Sequence, residues 1–173
     1  MSKPGPKVSN LDDLLAIAYR IEIDAVDRYK LLADQMETYN NPELVKVFRD
    51  LARAEGIHGE EIRRLAGDFD VAAHAASMAQ FAQESPEEAD LSSAHYLMTP
   101  WHALQLSLKG EERALAYFTS IVETAKDPKV KAMAAELVEE EAEHVNLVHK
   151  LLRRYRKPAD DWADDPDPPA PQE

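Results

Sequence analysis

Residues 128–151 read PKVKAMAAELVEEEAEHVNLVHKL, and this stretch decides the fold. Asp127 supplies a capping side chain, and Pro128 suits the first position of a helix because a first-turn N–H has no intrahelical partner. Beyond them Val130, Ala134, Leu137, Glu141, His144, Val148 and Leu151 recur at alternating steps of four and three. That spacing is the seam of a helix packed lengthwise against neighbours. Two of its members, Glu141 and His144, are polar where the pattern asks for apolar side chains.

The same punctuation recurs upstream. Asn41-Pro42 and Thr99-Pro100 mark two more helix starts, and Asn10 with Asp13 three residues on is a weaker form of the reciprocal capping box. Helices are therefore predicted over 11–38, 42–66, 100–125 and 128–155. The first seam runs Leu11, Leu15, Ala18, Glu22, Ala25, Tyr29, Leu32, Met36, and the second Leu44, Phe48, Leu51, Glu55, His58, Ile62, Leu65. The third is looser, with Trp101, Leu104, Leu108, Glu111, Ala114 or Leu115, Phe118 and Val122. Short connections at 39–41 and 126–127 force antiparallel pairs, and the 33 residues from Gly67 to Thr99 are long enough for a crossover. Two hairpins and one long crossover make an all-α, antiparallel four-helix bundle. Within the crossover, the Ala-rich stretch from Val71 to Phe81 is a candidate short helix, and Ser85-Pro86-Glu87 a candidate turn. The organisation expected is an N-terminal extension over 1–10, a bundle over 11–157 and an acidic tail over 158–173. Five prolines and six acidic residues exclude that tail from helix and core.

Composition narrows the chemistry. The chain has 173 residues, 20 Lys plus Arg against 33 Asp plus Glu, and a formal charge of −13. Such a charge repels phosphate backbones and anionic lipid, so neither nucleic acid nor membrane is an expected partner. The absence of Cys excludes disulfides, thiolate nucleophiles and cysteine-held metal centres. No apolar run reaches the length of a membrane span or signal peptide, which makes the cytoplasm the expected location.

Each of the four seams carries a Glu near its middle: Glu22, Glu55, Glu111 and Glu141. Burying an unpaired carboxylate costs several kcal/mol, a large share of the roughly 5–15 kcal/mol that stabilises a whole domain. Four such charges are balanced by two divalent cations, so a dinuclear metal site neutralises the core. The halves of the chain repeat one template. Glu22 is followed at three and seven residues by Ala25 and Tyr29, and Glu111 by Ala114 and Phe118. Pro42 and Pro128 each precede a Glu by 13 residues, and each of those Glu has a His three further on. Positions i and i+3 share a helix face about 5–6 Å apart, so Glu55 with His58 and Glu141 with His144 can each chelate inward. A lone Glu-x-x-His is usually a solvated face, whereas two of them, each paired with an upstream seam Glu, form one constellation.

The pattern Glu-x-x-Ala-x-x-x-Tyr followed by Glu-x-x-His resembles the ferritin-like superfamily. Thr99-Pro100-Trp101-His102-Ala103-Leu104, leading towards Glu111, resembles its rubrerythrin branch. The resemblance spans about residues 11–155 and implies a ferritin-like bundle with a di-iron carboxylate site. It implies that Glu55 and Glu141 bridge two iron ions, that Glu22 and Glu111 are terminal ligands, and that His58 and His144 each bind one metal. The chemistry it implies is reduction of hydrogen peroxide or O₂ by Fe²⁺, of peroxidase or ferroxidase type, in a homodimer. Glu and His ligands also suit manganese. Two departures stand out. Ala114 occupies the place of the branch's additional Glu, which weakens a peroxidase assignment and leaves the six-ligand set familiar from bacterioferritins. With no Cys in the sequence a rubredoxin-type centre is not expected within it, and the electron donor is expected to be a separate molecule. Tyr29 is a candidate catalytic side chain that can hydrogen-bond a ligand or donate an electron, which Phe118 at the matching place cannot. The alternatives are an oxygenase acting on an organic substrate through the same ligands, and a non-catalytic interaction module stabilised by metal.

Smaller features complete the reading. Gly56, Gly59 and Gly110 beside the ligand positions suggest close helix approach. His102 and His149 lie out of reach of the same metals, and His74 and His95 suit surface or structural roles. Glu60, Glu61, Glu112, Glu139, Glu140 and Glu143 flank the seam as solvated acids, a minority of which could line a cation entry path. Arg153, Arg154, Arg156 and Lys157 complement the dipole of the final helix and could hold the acidic tail.

Overall fold

Four of the helices begin where the sequence supplies a side chain for the orphan N–H groups of the first turn. The computed structural model describes residues 7–78 and 98–159. Helix α1 spans Leu11–Thr38, α2 Pro42–Ala66, α3 Val71–Ser77, α4 Pro100–Thr124 and α5 Pro128–Leu152, with no strand among the described residues. Asn10 accepts from the Asp13 N–H, Asn41 from Leu44 and Asp127 from Lys129. Asp13 returns a bond to the Ser9 N–H rather than to Asn10, so this box is displaced by one residue. At α4 the His102 ring lies 2.9 Å from the Thr99 hydroxyl, which gives His102 a capping role. Gly67 closes α2 with φ of 62°, a left-handed position where a side chain would be strained.

The helices form an antiparallel four-helix bundle of ferritin-like topology. Helix α1 pairs with α2 and α4 with α5, and α1 also packs against α3, α4 and α5. Helix α3 confirms part of the expected crossover helix. His74 within it makes a 2.9 Å ion pair with Asp13, which ties α3 to the start of α1. The remainder of that stretch, Ser85-Pro86-Glu87, His95, residues 1–6 and the tail from 160 lie outside the described residues. Helix α5 ends at Leu152, three residues before the expected boundary. The following turn docks instead: Arg154 pairs with Glu43 at 2.5 Å and the Tyr155 hydroxyl donates to the same carboxylate, fastening the end of α5 to the start of α2. No described helix is long and apolar enough to cross a membrane.

The apolar core is divided. One cluster gathers Leu14, Ile17, Ile21, Ile62, Val71, Phe118, Val130 and Leu137. The other gathers Tyr29, Leu32, Met36, Leu44, Phe48, Leu104, Val148 and Leu151. Along each long helix the Glu of the seam falls at the boundary between them, so a polar layer cuts across the bundle. Leu65 departs from the predicted seam. It is 63% exposed, while its neighbour Ala66 is the residue of the last turn that packs against the apolar cluster. Phe48→Ala is expected to cost about 3–5 kcal/mol and Leu65→Ala no more than about 0.5 kcal/mol, measured by chemical denaturation.

Candidate metal centre

Seam spacing aims one side chain from each long helix at the bundle axis, and four of those side chains are carboxylates. Glu22, Glu55, Glu111 and Glu141 are each at most 4% exposed. The two His close the layer. His144 Nδ1 lies 3.1 Å from Glu55 Oε1, 3.5 Å from Glu111 Oε2 and 4.0 Å from Glu141 Oε2. His58 Nδ1 lies 3.6 Å from Glu55 Oε2 and 3.9 Å from Glu22 Oε2. The two imidazoles stack across the layer with ring centres 5.7 Å apart and planes 11° from parallel. All six residues singled out by sequence therefore converge. Their donor atoms form two groups that can each hold a cation in common with His144, Glu55–His58–His144 and Glu111–Glu141–His144, and a third on the other side, Glu22–His58–Glu140.

Among the described residues, three buried atoms of this layer's glutamates and histidines make no hydrogen bond: Glu55 Oε1 and Nδ1 of both His58 and His144. Their mutual approaches are short but not aligned for one. Buried polar atoms are nearly always satisfied, and these three face one another. Carboxylate oxygens with two imidazole nitrogens are the donor set that suits iron or manganese. The residues present thus fit a dinuclear centre.

Two side chains that sequence reasoning had not placed complete the electrostatics. Arg28 is 2% exposed, and its Nη2 donates to Glu111 Oε1 at 2.9 Å. Glu140, expected among the solvated acids, is half-buried and joins Glu22 and His58. Glu60, Glu61, Glu112, Glu139 and Glu143 are exposed as expected. Arg28 offsets one carboxylate of the layer and Glu140 adds one back, so two divalent cations still balance it.

Tyr29 reaches across the bundle. Its hydroxyl bonds Glu111 Oε1 on α4, not Glu22 on its own helix, and lies 3.0 Å from Ser107 Oγ. Seven residues of helix separate Tyr29 from Glu22 by about 10 Å along the axis, whereas Glu111 is at its level. Burial, reinforced by the Glu111 charge, raises the Tyr29 phenol well above its ordinary value, so it keeps its proton and donates it. The glycines also differ from expectation. A Cβ at Gly56 or Gly59 would meet only ordinary contacts, 3.9 Å and 3.5 Å at nearest, whereas one on Gly110 would fall 2.6 Å from Arg28 Cζ. Gly110 thus makes room for a guanidinium rather than for a neighbouring helix backbone. His149, beyond the centre as expected, lies 3.9 Å from Glu112.

The sequence profile of the family described as Rubrerythrin matches residues 13–97. Among solved structures, the chain is similar to an uncharacterized conserved protein from Magnetospirillum magnetotacticum MS-1. The two are 34% identical, with 87% of this chain and 99% of that one covered and a TM-score of 0.75. No curated protein matches the chain.

The layer sets a pH dependence for the metal-free protein. Burial opposes charge on His144, but the adjoining Glu111 carboxylate and the charges of Glu55 and Glu140 raise it from 6.5 to about 9. That stabilisation is complete below pH 6.5 and is lost as pH rises through about 9. Burial likewise opposes charge on Glu111, yet His144, Arg28 and Tyr29 lower it from 4.5 to about 2, so its contribution is present above pH 4.5 and lost towards pH 2. Thermal melts of the metal-free protein should give the highest Tm between pH 4.5 and 6.5 and a fall of several degrees by pH 9. A Tm that stays level or rises from pH 6.5 to 9 contradicts this electrostatic account.

Proposed function

The chain belongs to the rubrerythrin family of the ferritin-like superfamily, and we propose that it is a di-iron redox protein that reduces hydrogen peroxide or O₂. The observation that carries this reading is the convergence of four buried glutamates and two histidines, with buried atoms of Glu55, His58 and His144 that make no hydrogen bond among the described residues. Glu22, Glu55 and His58 would hold one metal and Glu111, Glu141 and His144 the other, with Glu55 and Glu141 shared between them. Two ferrous ions bound there supply the two electrons that take peroxide to water or O₂ to peroxide.

The chain's own residues shape that chemistry. The apolar clusters on either side of the layer keep bulk water from the centre and strengthen every charge interaction within it. Access is easier on the His58 side, where the imidazole is 23% exposed against 13% for His144. Half-buried Glu140 stands at that side and would attract an incoming cation. Tyr29 donates its hydroxyl hydrogen to Glu111 Oε1 and fixes the orientation of that carboxylate. Electrons for further turnovers would come from a separate donor, and the assembly proposed is a homodimer.

Anaerobic loading with Fe²⁺ followed by stopped-flow mixing with peroxide or O₂ tests the reading. Two irons per chain and rapid oxidation by at least one oxidant are expected. Iron that neither oxidant touches would instead identify a structural metal site. Glu55→Ala and His144→Ala should each bind fewer than two irons while helical circular dichroism is retained. Two irons retained in either variant would remove that residue from the centre.

A further inference from the structure

Arg28 is the one fully buried cation among the described residues, and nothing in the ligand pattern demands it. Its Nη2 and the Tyr29 hydroxyl both donate to Glu111 Oε1, whereas Glu111 Oε2 is the oxygen that faces His144. One oxygen of this carboxylate is therefore engaged by two donors and the other is turned to the centre. The arrangement is built from both helices. Helix α1 supplies Arg28 and Tyr29 side by side, and α4 supplies Ser107 behind the tyrosine and Gly110 beside the guanidinium. A glycine within a helix costs about 1 kcal/mol relative to alanine, and here an alanine Cβ would lie 2.6 Å from Cζ, 2.7 Å from Nη1 and 3.0 Å from Nε of Arg28. The guanidinium ends a flexible side chain and can yield, but the atoms that must shift belong to the group that holds Glu111.

We propose that Arg28 is a positioning residue for the centre: with Tyr29 it fixes Glu111 as a ligand through a single oxygen, and Gly110 is the space this requires. The inference rests on the dinuclear reading above. In the paired halves of the chain Arg28 corresponds to Tyr117 and Tyr29 to Phe118, and both of those lie in the apolar cluster. The Arg–Tyr pair that engages Glu111 is thus not repeated in the other half of the chain. Groups that orient a metal ligand from behind commonly change metal affinity ten- to a hundred-fold when removed, because the freed ligand loses its productive geometry.

Cobalt(II) binding by the full chain separates this from a merely charge-balancing role. The wild type should bind two Co²⁺. Arg28→Gln and Gly110→Ala should each weaken one of the two binding steps about ten- to a hundred-fold. In infrared difference spectra on metal binding, both variants should also lose part of the wide carboxylate splitting that marks single-oxygen ligation. Gly59→Ala is the control, since its Cβ would meet Ile23 at 3.5 Å and Glu22 Cβ at 3.7 Å, and it should bind as the wild type does. Gly110→Ala keeps Arg28 in the chain, so it decides the matter if Arg28→Gln fails to fold. Wild-type constants and spectra in Gly110→Ala overturn the proposal, as does equal weakening by Gly59→Ala. A wild-type chain that binds no stoichiometric cobalt overturns the dinuclear reading and this inference with it.

Discussion

Charge in a dry core is the constraint on which the rest of the structure depends. Four carboxylates, each at most 4% exposed, occupy the middle of a helical bundle. Desolvating even one of them unpaired would consume much of the stability of a domain this size. The protein meets that constraint by stacking the charges in one layer. The layer sits between two apolar clusters, and opposite charge is gathered there from His58, His144 and Arg28. The helices can remain regular because each contributes its polar side chains at seam positions. The metal-free layer is still incompletely satisfied, and the unbonded atoms of Glu55, His58 and His144 mark where cations are wanted.

The internal repeat provides the near-symmetric frame, and the departures from it give the two sides different chemistry. Glu111 is anchored from α1 by Arg28 and Tyr29. On the other side Glu140 enters beside Glu22 and His58, where the layer is more open. The two sides therefore differ in exposure and in the charged groups that adjoin them.

Helix boundaries and the six candidate ligands were legible because they follow local rules. Caps before proline mark the starts, and the four-three alternation that buries Leu137 also points Glu141 inward. Arg28 was not legible by the same rule. It lies three residues beyond Ala25 and Tyr29 lies four beyond, so both belong to the inward face, but arginine at such a place ordinarily extends its head to water. The signal that could have found it is Gly110, a helix-interior glycine directly before a ligand position. Recognising its meaning requires knowing that α1 passes there. Tyr29 was singled out as able to bond a ligand, but which glutamate it meets was not legible, since periodicity reports a residue's face and not the helix it meets. Which of the flanking acids turns inward was hidden for a related reason: Glu140, adjacent to Glu141, sits at the edge of the inward face, and only the position of α2 decides whether it is buried. The turn after α5, with Arg154 and Tyr155 on Glu43, likewise depends on the neighbouring helix.

The most direct measurement is a crystal structure of the Fe²⁺-loaded protein with anomalous difference maps recorded on both sides of the iron edge. Two iron peaks within the polar layer, one beside His58 and one beside His144, with Glu55 and Glu141 between them, are the result this account predicts. No iron peak in the layer, or iron bound only to exposed acids outside it, would contradict the dinuclear centre.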